Sequence, residues 1–252
     1  MASERIWTAA LLVIGDEILS GRTQDRNIAT VATWLHLQGI RLAEVRVVPD
    51  DPSVIAEAVN ALRAANDYLF TTGGIGPTHD DVTVDAIAAA LGVPVVVHPK
   101  ARAALEAYYA ERGGLTEARL RMARVPDGAE LIENAVSGAP GIRVGNIFLL
   151  AGIPKVAELM LAAMSGRLAG GRPLLSRTIR CWAPESEVAD ILRAAEHGHP
   201  ECRIGSYPFF RDGRIGADFV IRSADAAALD SCRSDLIARL EAAGLAVEPE
   251  AA

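Results

Sequence analysis

The fold of this chain can be inferred from the stretch Thr71-Thr72-Gly73-Gly74-Ile75-Gly76-Pro77-Thr78-His79-Asp80-Asp81-Val82-Thr83. It follows a short apolar run, Tyr68 to Phe70, and precedes a segment, 84–91, whose apolar residues recur at helical spacing. Glycines between a strand and a helix let the backbone turn tightly and present bare N–H groups to a ligand. The dipole of the following helix favours a phosphate at its N-terminus. The stretch therefore predicts a phosphate-binding turn.

Two adjacent acids, Asp80 and Asp81, end this turn. A turn that only holds phosphate does not need them, whereas a pair of carboxylates is a candidate ligand pair for Mg²⁺ or Co²⁺. The structural alternative is that one of the two caps the helix. We favour Asp81 as a metal ligand or water-orienting carboxylate. Asp80 stays open, because one of an adjacent pair usually faces away.

The composition limits the class of protein. The chain has 252 residues, 50% of them hydrophobic, and a net charge of −7, which is enough for one large domain and a small one. An acidic chain is not expected to bind nucleic acid, since such domains are usually strongly basic. Cys181, Cys202 and Cys232 show neither metal-ligand nor disulfide spacing, which is typical of reduced thiols in the cytoplasm. No apolar stretch approaches the roughly 20 residues that span a membrane.

Residues 1–170 alternate between strand and helix patterns. Strands are predicted at 9–14, 41–48, 68–70, 93–97 and 146–150, and helices at 27–38, 52–65, 83–91, from Pro99, after a Thr116 cap, and from Pro154. Because these strands are apolar on both faces and alternate with helices, they predict a mostly parallel sheet covered on both sides, a three-layer α/β/α domain.

Residues 171–252 predict a second, small α+β domain after a Gly- and Pro-containing segment at 170–173. Strands are predicted at 176–182, 203–208, 215–222 and 245–247, a turn at 211–213, and helices at 185–196 and 226–242. The order β-α-β-β-α-β is typical of a ferredoxin-like domain. Residues 205–208 are a candidate nucleotide contact, with an ordinary strand end as the more frequent alternative. We find no catalytic constellation in this part of the chain.

Glycines and carboxylates concentrate in the loops that follow predicted strands. These loops are 15–21, the Gly-rich stretch, 151–154 and the junction 49–52. In an open parallel sheet, ligands bind outside the carboxyl ends of the strands. The sequence therefore predicts one cleft at that edge of the sheet.

The same loops carry a family resemblance. The residues concerned are Gly15-Asp16-Glu17-Ile18-Leu19-Ser20-Gly21, Asn27, Pro49-Asp50-Asp51, the Gly-rich stretch and Gly152-Ile153-Pro154. They resemble the N-terminal domain of competence/damage-inducible protein A (CinA). They are also similar to the molybdopterin-binding-like domain of FAD synthases. Both domains belong to the molybdopterin-binding MoaB/MogA superfamily. The resemblance implies that fold, a small-molecule nucleotide or pterin ligand such as molybdopterin, a divalent cation and a homo-oligomer.

The resemblance also implies roles for individual residues. Asp81 and Asp50 would be catalytic, and Asp80 and Asp81 would hold the cation. The ligand- or phosphate-binding residues would be Gly15, Asp16, Glu17, Asn27, Gly73, Gly74, Gly76, Pro77, Thr78, Thr83, Gly152 and Pro154. Two alternatives remain: Asp50 as a helix cap, and Asp16 with Glu17 as loop-holding groups rather than metal ligands.

One departure separates the branches of the superfamily. MogA-type adenylyltransferases have an Arg-Asp pair where this chain has Asp80-Asp81. A guanidinium binds phosphate directly, whereas two carboxylates hold it through a divalent cation. We therefore favour a CinA-like nucleotide-binding protein that hydrolyses ADP-ribose- or FAD-like dinucleotides as a metal-dependent pyrophosphatase. The alternative is a molybdopterin-binding module of molybdenum-cofactor biosynthesis.

Overall fold

The computed structural model describes residues 5–134, 136–171, 174–211 and 213–249. The chain divides into two compact units, Met1–Gly171 and Arg172–Ala252. Arg172 and Pro173 of the predicted inter-domain segment, and Asp212 of the predicted turn, lie outside the described residues. Within the described residues, no helix is both long and apolar enough to cross a membrane.

The larger unit contains eight described strands and seven described α-helices. The strands are β1 (Trp7–Ile14), β2 (Ile40–Val48), β3 (Tyr68–Thr72), β4 (Val95–Val97), β5 (Arg124–Pro126), β6 (Glu130–Ile132), β7 (Gly141–Val144) and β8 (Ile147–Leu150). The helices are α1 (Asp16–Leu19), α2 (Asn27–Leu37), α3 (Pro52–Ala65), α4 (Thr83–Leu91), α5 (Pro99–Tyr109), α6 (Glu117–Leu120) and α7 (Pro154–Ala163).

A six-stranded sheet organises this unit, with the strand order β2-β1-β3-β8-β7-β6. The pairs β1–β2, β1–β3 and β3–β8 are parallel. Successive residues of β1 face opposite sides of the sheet. Leu12 packs in a buried cluster with residues of α3 and α4, and Leu11 packs with residues of α2 and α7. The predicted three-layer, mostly parallel architecture is therefore confirmed.

The sheet differs from the prediction at one edge and in one strand. β7 pairs antiparallel with both β8 and β6, and neither β6 nor β7 was predicted, because these strands of three or four residues are too short for a clear period. The predicted strand at 93–97 is shortened to β4. It pairs with β5 in a separate two-stranded sheet, where Val97 is 45% exposed.

The smaller unit has the predicted element order. Its elements are β9 (Leu175–Cys181), α8 (Glu185–Gly198), β10 (Arg203–Arg211), β11 (Arg214–Ser223), α9 (Ala226–Ala242) and β12 (Val247–Pro249). Its antiparallel sheet has the order β10-β11-β9-β12. Ile179 and Phe219 of the sheet pack with Val188 of α8 and Leu236 of α9. This small α+β unit matches the predicted ferredoxin-like arrangement.

We expect Gly73→Ala to destabilise the larger unit strongly. Gly73 has φ +100, and a Cβ there would overlap the carbonyl oxygen of Ile14 in β1, so backbone strain and overpacking should together cost roughly 3 kcal/mol or more. Gly92 is the matched control, since it has φ +69 with nothing within 4 Å. Gly92→Ala should cost only about 1 kcal/mol. Urea unfolding of both variants measures the difference, and equal losses would contradict it.

Candidate functional site

All four loops named above contribute residues to one cleft of about 670 Å³. Gly15, Gly73 and Gly152 line it together. A Cβ on Gly152 would lie 3.3 Å from the Cα of Gly73, so the loops after β3 and β8 are in contact. The cleft is thus at the carboxyl edge of the parallel strands, and its volume is within the usual range for a small-molecule site.

The Asp81 carboxylate holds the Gly-rich turn in shape. Its Oδ1 accepts the Gly76 amide at 2.7 Å, and its Oδ2 accepts the Thr78 amide at 2.7 Å and the Thr78 hydroxyl. Because a carboxylate accepts about four hydrogen bonds, three positions are already in use. Asp81 also lines the cleft. Its first role is therefore to hold the turn itself together. This differs from the alternative given above, in which Asp80 or Asp81 caps the following helix.

Few amides of the turn remain for a ligand. The amides of Gly76 and Thr78 bond to Asp81, and that of Gly73 donates to the Leu150 carbonyl at 3.3 Å. In the part of the chain that the structure describes, the amides of Gly74 and Ile75 have no acceptor, and both residues line the cleft.

Thr83 supports the turn from behind. Its hydroxyl donates to the Gly73 carbonyl at 2.9 Å, and its amide donates to the Gly74 carbonyl at 3.0 Å. The Thr83 side chain is fully buried. A Cβ on Gly74 would overlap the Thr83 hydroxyl. Thr83 thus fixes the start of α4 against the two glycines without reaching the cleft.

Asp50 lies in the cleft among other carboxylates. Its Oδ2 accepts the Asp16 amide at 2.9 Å, and it lines the cleft. Burial raises the pKa of Asp50, the Asp16 amide opposes that shift, and the negative charges of Asp16, Glu17 and Asp80 raise it further. A carboxyl with a raised pKa in a cleft is a candidate proton acceptor.

Helix α3 is capped by Asp51 and not by Asp50. The Asp51 side chain accepts the Ser53 amide at 2.8 Å and the Val54 amide at 3.2 Å. These hydrogen bonds, with that of the Ser53 hydroxyl, lower the pKa of Asp51. The alternative of Asp50 as a helix cap is therefore wrong, and its side chain is left for the cleft.

Several carboxylates concentrate along the cleft. Glu17, Asp50 and Asp80 line the cleft with Asp81. No group of three or more His, Cys, Asp or Glu among the described residues is placed to hold a metal ion. Mg²⁺ commonly takes only one or two carboxylates, with phosphates and waters completing the shell.

The remaining predicted residues take different positions. Pro77 and Pro154 line the cleft, Thr78 bonds to Asp81, and Asp16 reaches the site only through its amide. The Glu17 carboxylate lies against Gly15, where it would crowd a Cβ. Asn27 is buried, and its Nδ2 donates to the Gly152 carbonyl at 2.8 Å.

The wall facing the turn was not foreseen from the sequence. Tyr109, Met122, Asn134 and Pro140 line it. The Arg119 guanidinium lies 4.1 Å from the centroid of the Tyr109 ring and holds it in place. These residues come from separate segments between α5 and β7, and only tertiary packing brings them to the cleft.

A basic residue also supports the turn. Arg121 donates from Nη2 to the Asp81 carbonyl at 3.4 Å. Arg124 pairs with Asp85 in the first turn of α4. A segment distant in the chain thus places positive charge next to the turn and to the first turn of α4.

The chain belongs to the molybdopterin-binding domain family. Residues 10–170 match the family described as probable molybdopterin binding domain. Residues 173–248 match the family described as FAD synthase, middle domain. The resemblance inferred from the loop motifs is confirmed.

Known relatives support the same grouping. A protein of Aeropyrum pernix is 36% identical over 259 residues, covering 97% of this chain and 94% of the relative. A CinA-like protein of Desulfosudis oleivorans is 33% identical over 209 residues, covering 78% of this chain and 51% of the relative. The crystal structure of CinA from Thermoplasma acidophilum, described as of unknown function, is 34% identical with a TM-score of 0.59, covering 64% of this chain and 98% of that one.

We expect Asp50→Asn to stabilise the metal-free protein at pH 7. The Asn carbonyl can still accept the Asp16 amide, and the repulsion from Glu17 and Asp80 is removed. The pKa of Asp50 is raised in the folded protein above its ordinary value of 3.8. The folded state therefore binds this proton first as the pH falls, and the parent protein gains stability between that raised pKa and 3.8. The advantage of the variant should therefore shrink on acidification. Thermal unfolding in a chelator from pH 8 to pH 4 measures it.

Asp51→Asn is the control variant, for which we expect the opposite change in stability at pH 7. The lowered pKa of Asp51 means that its charged form stabilises the fold above pH 3.8. That variant should be less stable than the parent protein at pH 7. The same sign for both variants would contradict the environment described for Asp50.

Proposed function

We propose that this chain is a metal-dependent pyrophosphatase of dinucleotide-like substrates such as ADP-ribose or FAD. The observation that carries the proposal is the cleft itself. It combines two amides without acceptors, on Gly74 and Ile75, with the Asp50 carboxyl, whose pKa is raised. One part would bind a phosphate, and the other would accept a proton from water.

The chain's own groups divide the work. The amides of Gly74 and Ile75, in the turn between β3 and α4, would hold one phosphate of the pyrophosphate link. Asp50 would take the proton of the attacking water. The water oxygen then bonds to one phosphorus, and the bridging oxygen leaves with the other phosphate. From ADP-ribose the products are AMP and ribose 5-phosphate.

Asp80 and the fourth acceptor position of Asp81 are the groups that would hold a divalent cation. When bound, such a cation supplies positive charge to the phosphates and lowers the pKa of a bound water. The Asp81 hydrogen bonds support a further role, since the same carboxylate that would contact the cation keeps the phosphate-binding turn closed.

A second candidate function is a molybdopterin-binding module without hydrolysis. The family match over residues 10–170 favours it. The wall with Tyr109 and Met122 would accept a flat pterin ring as well as a purine. We further propose that the protein forms a homo-oligomer, as the resemblance to CinA implies, and that it is cytoplasmic, as its three free cysteines indicate. Light scattering of the purified chain tests its assembly.

We expect AMP release from ADP-ribose, FAD or NAD in the presence of Mg²⁺ or Co²⁺. Asp50→Asn should lower kcat about 100-fold or more, because a general base contributes at least that much. Asp51→Asn is the matched control and should keep the parental rate, since Asp51 caps α3 outside the cleft. Nucleotide products are measured by chromatography. Turnover by Asp50→Asn at the parental rate would remove Asp50 from the mechanism.

Asp80→Arg should separate the two candidate functions. The guanidinium would supply positive charge directly, so binding of ADP-ribose should depend less on metal than in the parent protein, and hydrolysis should fall. Calorimetric titration with and without Mg²⁺, paired with AMP measurement, tests this. Metal-independent binding by the parent protein, with no AMP from any dinucleotide, would favour the pterin-binding module.

A further inference from the structure

A small pocket adjoins the cleft and has a different chemistry. This side pocket, of about 60 Å³, is lined by Glu17, Thr23, Asp25, Asn27, Thr72 and Gly152, among others. It shares Glu17 and Gly152 with the main cleft, so the two lie side by side. At roughly 30 Å³ for each water in the liquid, it has space for one or two small polar groups.

Two polar side chains in the side pocket lack hydrogen-bond partners. Asn27 is 4% exposed and Thr72 is 1% exposed. Among the described residues, the Asn27 Oδ1 and the Thr72 hydroxyl have no partner. A buried polar atom without a partner costs about 1–3 kcal/mol. Such a cost at a ligand cleft points to a group that is supplied from outside the chain.

The orientation of the Asn27 amide shows which kind of group is missing. Only its Nδ2 can donate to the Gly152 carbonyl, so the acceptor Oδ1 is the atom left without a partner in a residue that lines the side pocket. Glu17 and Asp25 add carboxylates to the same pocket. Gln24 and Arg26 also line the pocket and add hydrogen-bond donors. A hydroxyl fits this mixed set because it both donates and accepts a hydrogen bond, whereas the phosphates of a pyrophosphate link only accept.

We propose that the side pocket binds a sugar hydroxyl of a ribose-containing nucleotide, next to the amides that hold its phosphate. Carboxylate and amide oxygens accept from the hydroxyl, and the Thr72 hydroxyl completes the contact. Asn27 therefore recognises the sugar and not a phosphate. The inference rests on the proposed function in that the ligand is a dinucleotide of the ADP-ribose type.

Thr72→Val tests the pocket, and Thr71→Val is its matched control. The Thr71 hydroxyl is also buried without a partner in the described residues, but Thr71 lines neither the cleft nor the side pocket. Both variants remove an unpaired hydroxyl and should unfold at or above the parental temperature. This comparison separates ligand recognition from folding.

Each protein is titrated calorimetrically with ADP-ribose and with inorganic pyrophosphate, both with Mg²⁺. Thr72→Val should weaken ADP-ribose binding about threefold to tenfold, the value of one hydrogen bond, and leave pyrophosphate binding unchanged. Thr72→Ser should restore the parental affinity, and Thr71→Val should change neither ligand. Equal weakening of both ligands by Thr72→Val, or of neither, overturns the proposal.

Two further measurements identify other failures. A Thr72→Val effect that vanishes when sodium is replaced by tetramethylammonium means that the pocket holds a metal cation, which overturns the proposal. AMP release is followed in parallel. If the protein binds ADP-ribose with the expected Thr72→Val selectivity but releases no AMP, the pocket proposal is supported and the proposed hydrolase activity is contradicted. If Thr72→Val releases AMP with the parental KM, the hydrolase activity is supported and the pocket proposal is contradicted. No ADP-ribose binding by the parent protein overturns both.

Discussion

The close approach of backbones at the ends of β1, β3 and β8 governs the rest of this structure. Gly73 has no room for a side chain against the Ile14 carbonyl, and Gly152 lies directly on Gly73. Because three parallel strands end within contact distance, the loops that leave them share one cleft. The glycines are therefore a packing requirement of the sheet first, and the exposed amides of Gly74 and Ile75 follow from it.

The electrostatics of the cleft follow from the same crowding. Asp81 satisfies two amides and a hydroxyl within the turn, so the turn keeps its shape without a ligand. Asp50 is held by the Asp16 amide among other carboxylates. A cleft in which negative charge outweighs two free amides binds an anion weakly by itself, and this imbalance is the physical reason to infer a cation with the phosphate.

Some elements were predictable from local chemistry alone. The bounds of α3 and α4 follow from Pro52 at the first helical position and from Gly92 in the left-handed conformation after the last turn. The apolar runs of β1 and β8 indicated a sheet covered on both faces. The strand at 95–97 was misplaced in the sheet, because a short valine run shows only that it is extended and not which strand it pairs with.

The sequence by itself determined the parallel sheet, the position of the glycine turn after β3 and the edge at which the acids gather, since each depends on residues adjacent in the chain. Only the tertiary structure decided that Asp81 closes the turn, that Asp51 rather than Asp50 caps α3, and that Tyr109 faces the cleft. It also decided that the Asn27 Oδ1 is left without a partner in a residue that lines a side pocket. Hydrogen-bond partners and cleft walls depend on atoms brought together from distant segments, and hydrophobic periodicity carries no information about which side chain a given oxygen will meet.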